Sequence, residues 1–469
     1  MSQPNGNAIT RRALLAGAAG TTLAGLLPRG AFADGFKLTA APAKAILGPG
    51  QPETAVWAYN ATVPGPELRV RQGARARIAV ENRLAEDTTV HFHGVRLPNA
   101  MDGVPHLTQR PVAPGETFTY AFEVPDAGTY WYHPHVNSAV QLGRGLSGPF
   151  IVEEREPIAV DRDVVWMLSD WRLLPDGQIR DDFGNMHDKA HNGRVGDTVT
   201  INGRVPQAFS VRRGERIRLR LINAANARVF GLRFAGHAPT IIAYDGQPVS
   251  PHTPPDGAVV LGPAMRVDLI LDMTGGAGER FEVRDDYYRS LAYRLVDIVY
   301  DGTPLREQPP DSPIALPANT MPEPDIASAE RHEVTFNGGM MGQAMMRDRG
   351  MGSMMDMMQM MRSGKIWFMN GVAVTGHTMA PMLTLPRGRT AVIAMSNETT
   401  WWHPMHLHGH AFRVVSRNGA PTRYREWQDT VLVAPRERVE VAFVADNPGD
   451  WMFHCHVLEH QESGMMGVI

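Results

Sequence analysis

Short runs in which apolar and polar residues alternate recur along almost the whole chain, each closed by Gly, Pro or Asn. Leu68-Arg69-Val70-Arg71 and Ala76-Arg77-Ile78-Ala79-Val80 place every second side chain on one face, the period of a half-buried strand. The phrase built from them, a strand, a Gly turn and a strand ending in Asn82, returns from Phe209 to Asn223 and again from Leu383 to Asn397. Three copies separated by about 140 to 175 residues predict three similar β-domains, an internal repeat carried by the sequence itself. Boundaries follow at 36–155 and 156–305, with the third domain over 329–469. The Pro-rich stretch between, 306–328, reads as an exposed linker.

Composition adjusts this picture only at the ends. A chain of 469 residues with 46 Gly, 36 Pro and 43% hydrophobic residues suits a protein of short strands and turns. A formal charge of −3 gives no footprint for nucleic acid. Arg11-Arg12 precede an Ala/Gly/Leu-rich stretch to Leu27, and Ala31-Phe32-Ala33 supplies a cleavage pattern. This predicts a leader over residues 1–33, handled by the twin-arginine export machinery, with cleavage near Ala33. The run is too short and Gly-rich for a stable membrane anchor. The mature chain is expected in the periplasm or outside the cell, as a monomer.

The chemistry lies in four histidine clusters: His91-Phe92-His93-Gly94, His133-Pro134-His135, His403-Pro404-Met405-His406-Leu407-His408-Gly409, and His454-Cys455-His456 with His460. One HxH pair is weak, since a surface strand produces it readily. Four clusters, the last built around the only cysteine and followed by Met465, point to metal. A lone cysteine forms no internal disulfide, and one with three histidines within five residues reads as a ligand rather than a buried thiol. Cys455, two histidines and a thioether make the His₂Cys set with weak axial Met of a blue-copper site. In an extended strand Cys455 points one way while His454 and His456 point the other, so the segment reads as a covalent bridge between two metal sites.

These four motifs, in this order, resemble the copper-binding motifs of the multicopper oxidases, the family of laccases, bacterial copper-efflux oxidases and ceruloplasmin. The resemblance covers nearly everything after the leader. It implies an all-β chain of three consecutive cupredoxin-like Greek-key β-barrels and four copper ions. His403, Cys455 and His460 would bind type 1 copper with Met465 axial, leaving Met466 as the neighbouring alternative. His91 and His406 would bind type 2 copper, and His93, His133, His135, His408, His454 and His456 the type 3 pair. These positions fall only in domains one and three, which makes domain two a spacer. Electrons from Cu(I) or small aromatic donors would enter where His403 or His460 presents a ring edge, and O₂ would be reduced to water at the trinuclear cluster.

Asp102, nine residues after His93, matches a carboxylate of the family near that cluster and is a candidate proton relay; Asp102-Gly103 also reads as a turn. Two positions depart from the pattern. Gln461 stands where bacterial relatives commonly carry Glu, with Glu459 and Glu462 as neighbours. Thr399 stands where copper-efflux oxidases carry Asp, beside Glu398, Trp401 and Trp402, the tryptophans offering an aromatic rim. Between 340 and 361 lie Met340, Met341, Met345, Met346, Met351, Met354, Met355, Met357, Met358, Met360 and Met361. A methionine stripe can be core packing. The near absence of Leu, Ile and Val, the interleaved glycines, and the affinity of thioethers for Cu(I) favour recruitment of Cu(I). A similar insertion occurs in copper-efflux oxidases. A laccase acting mainly on organic donors and a copper-storage or delivery protein are the competing readings.

Overall fold

The computed structural model describes residues 35–340, 363–376 and 380–469. The expected leader, and Met341 to Met361 of the methionine-rich segment, lie outside them. The strands form three successive pairs of sheets. In the first, Thr54–Tyr59, Phe36–Ala45, Arg75–Asn82 and Thr117–Glu123 pair side by side, facing a sheet of Leu68–Arg71, Gly148–Glu153, Gly128–His133 and His91–His93. A six-stranded and a five-stranded sheet follow, and the last pair includes the four-stranded sheet of Thr430–Val433, His403–Leu407, Met452–Cys455 and Met466–Val468. Each pair encloses its own apolar core. The chain is the all-β, three-barrel architecture that its motifs imply.

The repeated phrase has the same structural meaning each time. The opening strand of each barrel runs parallel to the strand after the Gly turn, with Phe36 opposite Ile78, Arg162 opposite Ile217 and Glu330 opposite Ala391. The turn glycines Gly73, Gly214 and Gly388 hold φ of 82°, 78° and 79°, a conformation costly for any side chain with a Cβ. The closing asparagines are corner pins. Asn82, Asn223 and Asn397 are at most 2% exposed. Each accepts the amide two residues on, from Leu84, Ala225 and Thr399. Each also donates to a carbonyl on a strand or turn that is distant in sequence, at Val112, Leu261 and Val433.

One strand departs from its pattern. Arg216-Ile217-Arg218-Leu219-Arg220-Leu221 reads as half-buried, yet every residue of Arg216–Asn223 is buried. Its polar face is turned toward barrel one: Arg218 donates to Asp268 of its own sheet at 2.7 Å and to Glu154 of barrel one at 2.8 Å, and Arg220 to Asp163 of its own sheet at 2.6 Å and to Thr129 Oγ1 of barrel one at 2.9 Å. Charges of this kind are tolerated inside only when paired.

Asn223→Ala should therefore strip two carbonyls and one amide of their partners at a corner that supplies none of the clustered histidines. The expected loss is about 2–4 kcal/mol, read as a lower midpoint in thermal and urea denaturation. A midpoint equal to that of the parent would show that the corner is held by other contacts.

Candidate metal centre

Register decides which side chains meet. In barrel one His91 lies opposite His133 and His93 opposite Trp131, while Phe92 and Tyr132 face the core. In barrel three Met405 lies opposite Cys455 and His406 opposite His454. Strand alternation then puts His403, Met405 and Cys455 on the core side. His406 and His454, with His408 and His456 beyond the strand ends, face barrel one. The His93 and His406 rings stack with centroids 3.8 Å apart, and those of His91 and His408 are 4.0 Å apart. Eight imidazoles thus converge in one buried gap, none more than 6% exposed.

Six of the eight are gripped through one nitrogen. His91 Nδ1 donates to the Asp102 carbonyl at 2.8 Å, His406 Nδ1 to the Asp429 carbonyl at 2.9 Å and His133 Nδ1 to the Pro134 carbonyl at 3.1 Å. His93 Nε2 donates to Asp429 Oδ1 at 3.0 Å, His408 Nδ1 to Asp102 Oδ2 at 2.8 Å and His454 Nδ1 to the Cys455 carbonyl at 2.9 Å. The inward nitrogens are bare. Nε2 of His91, His133, His135 and His406, Nδ1 of His93 and both nitrogens of His456 have no hydrogen-bond partner. Nε2 of His408 and His454 face each other at 3.1 Å. Unpartnered buried nitrogens are costly, and a bound cation is what satisfies lone pairs that converge in this way. Burial holds His93, His133, His135, His408 and His456 well below the ordinary imidazole range and His454 down to about 3. His406 falls less because Asp429 opposes the shift. Neutral imidazole is the ligating form.

On the other face Cys455 Sγ lies 3.5 Å from His403 Nδ1 and 3.7 Å from His460 Nδ1, and the two Nδ1 atoms are 3.2 Å apart. The outer nitrogens are fixed: His403 Nε2 donates to Thr399 Oγ1 at 2.8 Å and His460 Nε2 to the His191 carbonyl at 2.6 Å. Met465 is fully buried in the same core, its amide donating to His460 and its carbonyl accepting from Cys455, both at 3.0 Å. Without a cation, burial pushes the Cys455 thiol well above its ordinary range, with one amide, from Val457, to favour a thiolate. Thiolate and two neutral imidazoles on one centre fit a copper ion.

Comparison with known proteins agrees over most of the chain. Multicopper oxidase family models match residues 42–157, 162–292 and 350–469. The chain belongs to the multicopper oxidase family. A similar relative is Multicopper oxidase MmcO of Mycobacterium tuberculosis, 32% identical over 91% of this chain and 85% of the relative. A multi-copper oxidase structure from Pseudomonas thermotolerans is 35% identical, with a TM-score of 0.82 over 94% of this chain and 99% of that one. A Campylobacter jejuni multicopper oxidase structure, described as a metallo-oxidase, is 28% identical, with a TM-score of 0.76 over 92% and 90% of the two chains. As a multicopper oxidase the protein is a copper-dependent oxidoreductase.

Two expectations for this oxidase are corrected. Domain two is not a mere spacer. Arg266, wholly buried, donates from Nη1 and Nη2 to Asp429 at 2.8 and 2.5 Å, and Asp245 accepts the amides of Asp429 and Thr430 at 3.2 and 3.1 Å. Asp429 in turn holds His93 and His406, and the Arg266 guanidinium keeps its carboxyl well below the usual range. Asp245, Arg266, Asp429 and Thr430 carry no motif, and only a buried Asp beside a metal-facing strand would have hinted at one of them. Nor does either Cys455-site imidazole present an edge to solvent, since His403 and His460 are 0% exposed beneath Trp367, Thr399 and residue 191.

The departures acquire definite places. Thr399 links His403 to the corner pin Asn397, its Oγ1 lying 2.8 Å from Asn397 Oδ1. Glu459 is buried, raised to about 7 by that burial, and accepts the Arg194 amide at 3.1 Å. Glu462 accepts the Ala139 amide at 3.0 Å, while Gln461 Oε1 has no partner. Asp102 is 1% exposed, and a Cβ on Gly103 would run into the Val90 carbonyl, so this turn admits only glycine. Met340 is 37% exposed at the edge of its segment.

Copper-free protein should be acid-sensitive. Its buried histidines titrate far below the unfolded value near 6.5, so stability is complete above that pH. It is lost as pH falls, by about 1.4 kcal/mol per pH unit for each such histidine until its folded pKa is reached. Denaturation midpoints of the metal-free form should fall steeply between pH 7 and pH 5. A midpoint that stays level over this range would contradict the burial of neutral imidazoles.

Proposed function

We propose that the chain is an exported oxidase holding four coppers, which takes single electrons from Cu(I), and also from phenols and aromatic amines, and reduces O₂ to water. His403, Cys455 and His460 would hold the type 1 ion with Met465 axial, His91 and His406 the type 2 ion, and His93, His133, His135, His408, His454 and His456 the type 3 pair. Once bound, these ions supply the one-electron redox steps and the O₂ site. The chain supplies their positions. The single observation that carries the reading is Cys455 itself: its sulfur sits with His403 and His460, and its two flanking residues are imidazoles in the eight-histidine gap. That is the shortest covalent path between a thiolate site and an oxygen site.

Asp102 grips His408 through its carboxylate and His91 through its carbonyl, leaving Oδ1 without a hydrogen bond. In this reading it orients both rings and passes a proton between the gap and the Asp-Gly turn. Export through the leader suits a protein folded around its metals, and among the described residues no helix is long and apolar enough to cross a membrane. The methionine-rich segment, and the metallo-oxidase described in Campylobacter, support Cu(I) as donor. A second reading, a laccase for organic donors, is favoured by Trp402, 39% exposed next to His403 and edge-on to Tyr287 at 5.8 Å. A storage or delivery role leaves the Cys455 bridge without purpose.

Copper analysis with a visible spectrum tests the class: four ions per chain and a strong blue band are expected. Comparing Cu(I) with phenol turnover then separates the two donors. Cys455→Ser should abolish the blue band and oxidase turnover while three coppers remain on the untouched gap histidines. Retained colour or normal turnover in that variant would sink the assignment.

A further inference from the structure

The covering of His460 is built from one short helix of barrel two, Met186–Ala190. A helix ends with carbonyls that have no intrahelical partner, and here three in succession are taken by barrel three. Trp367 Nε1 donates to Lys189 O at 2.7 Å, the Met340 amide to Ala190 O at 2.9 Å and His460 Nε2 to His191 O at 2.6 Å. The helix end is thus seated on the Cys455 site through its backbone.

Its opposite side carries two imidazoles that the oxidase assignment does not use. His187 and His191, four residues apart and so on one face, stack with centroids 4.4 Å apart and planes at 18°. His191 Nδ1 donates to the His187 carbonyl at 2.8 Å, which leaves the lone pair on Nε2. The His187 side chain is 76% exposed, with Nδ1 3.7 Å from Asp188 Oδ1, and a turn of its ring out of the stack would bring both Nε2 atoms to one ion. Met186, 37% exposed, precedes the pair, and Met340, also 37% exposed, is tied by its amide to the same helix end. Trp401 stands edge-on to His191 at 5.5 Å and closes the inner side. Two neutral imidazoles with thioethers at hand form a soft donor set suited to a monovalent copper ion.

We propose that His187 and His191 form the docking site for substrate Cu(I), with electrons passing inward through the His191 backbone and its carbonyl contact to His460. The proposal rests on the reading above that Cu(I) is a donor. Each docked Cu(I) would give up one electron, taken by the copper that His403, Cys455 and His460 would hold, and leave as Cu(II); four such losses and four protons balance one O₂ taken to two waters. The port explains why neither Cys455-site imidazole needs an exposed edge.

The test uses the copper-loaded full chain and Ag(I), a redox-inert stand-in for Cu(I). His187→Ala, and His187→Ala with His191→Ala, should each bind one Ag(I) fewer than the parent by calorimetry. They should raise KM for Cu(I) and lower the ratio of Cu(I) to phenol kcat/KM at least roughly tenfold, the discrimination of one lost metal contact. His187→Met, which keeps a soft donor, should restore most of both. Equal Ag(I) stoichiometry in parent and variants overturns the site. So does a parallel loss on Cu(I) and phenol with a shifted blue band, which would make the helix a support for His460 alone. A parent that binds the extra Ag(I) but oxidises no Cu(I) overturns the donor assignment while supporting the docking site.

Discussion

Eight neutral imidazoles do not attract one another. Their inward lone pairs repel, and their removal from water is unfavourable at every ring, so the gap between barrels one and three has to be held open and dry by contacts made outside it. Outward hydrogen bonds supply this. Asp102 grips two rings and Asp429 two more, while the Pro134 and Cys455 carbonyls hold one each. Each bond fixes a tautomer as well as an orientation, and so decides which nitrogen remains available to a metal. The stability of the metal-free fold, its sensitivity to acid and its readiness for copper are consequences of this one division of each ring into a held side and a bare side.

The middle barrel enters through the same constraint. Asp429 would be a poor anchor alone, because a buried carboxylate without a countercharge is unstable. Arg266 provides the charge, and Asp245 fixes the strand on which Asp429 and Thr430 sit. Barrel two therefore braces the imidazoles of barrels one and three without contributing a ring to the gap. At the Cys455 cluster it does the same by different means, offering the carbonyl end of a helix to His460. Two sets of ligands are thus braced from a barrel that lends no ring to either.

Much of this was legible in the chain. The alternation, the Gly turns and the thrice-repeated Asn marked the barrels, because each is a local demand of backbone geometry that leaves a local trace. The HxH pairs and the Cys455 segment were legible for the same reason, since strand alternation ties spacing to facing. What was not legible is whatever joins distant residues singly. Arg266 meets Asp429 across 163 positions, and His460 meets the His191 carbonyl across 269. One arginine or one backbone carbonyl has no period and no motif. Arg218 and Arg220 misled for a related reason, since their alternation is that of a solvent-facing strand and only the neighbouring barrel turns it inward.

The Asn397 corner shows how the levels connect. Its carboxamide pins a turn that barrels one and two pin in the same way, yet in barrel three the residue two positions on is Thr399 rather than Leu84 or Ala225. The change from apolar to hydroxyl turns a structural corner into a support for His403, whose Nε2 donates to that hydroxyl. At a position where copper-efflux oxidases carry Asp, the ring of His403 thus meets a neutral acceptor in place of a charged one. A hydroxyl would leave His403 less electron-rich than a carboxylate would, which would favour the reduced state of a copper held by His403, Cys455 and His460. The same repeat that shapes the barrel therefore sets the character of the imidazole attached to it.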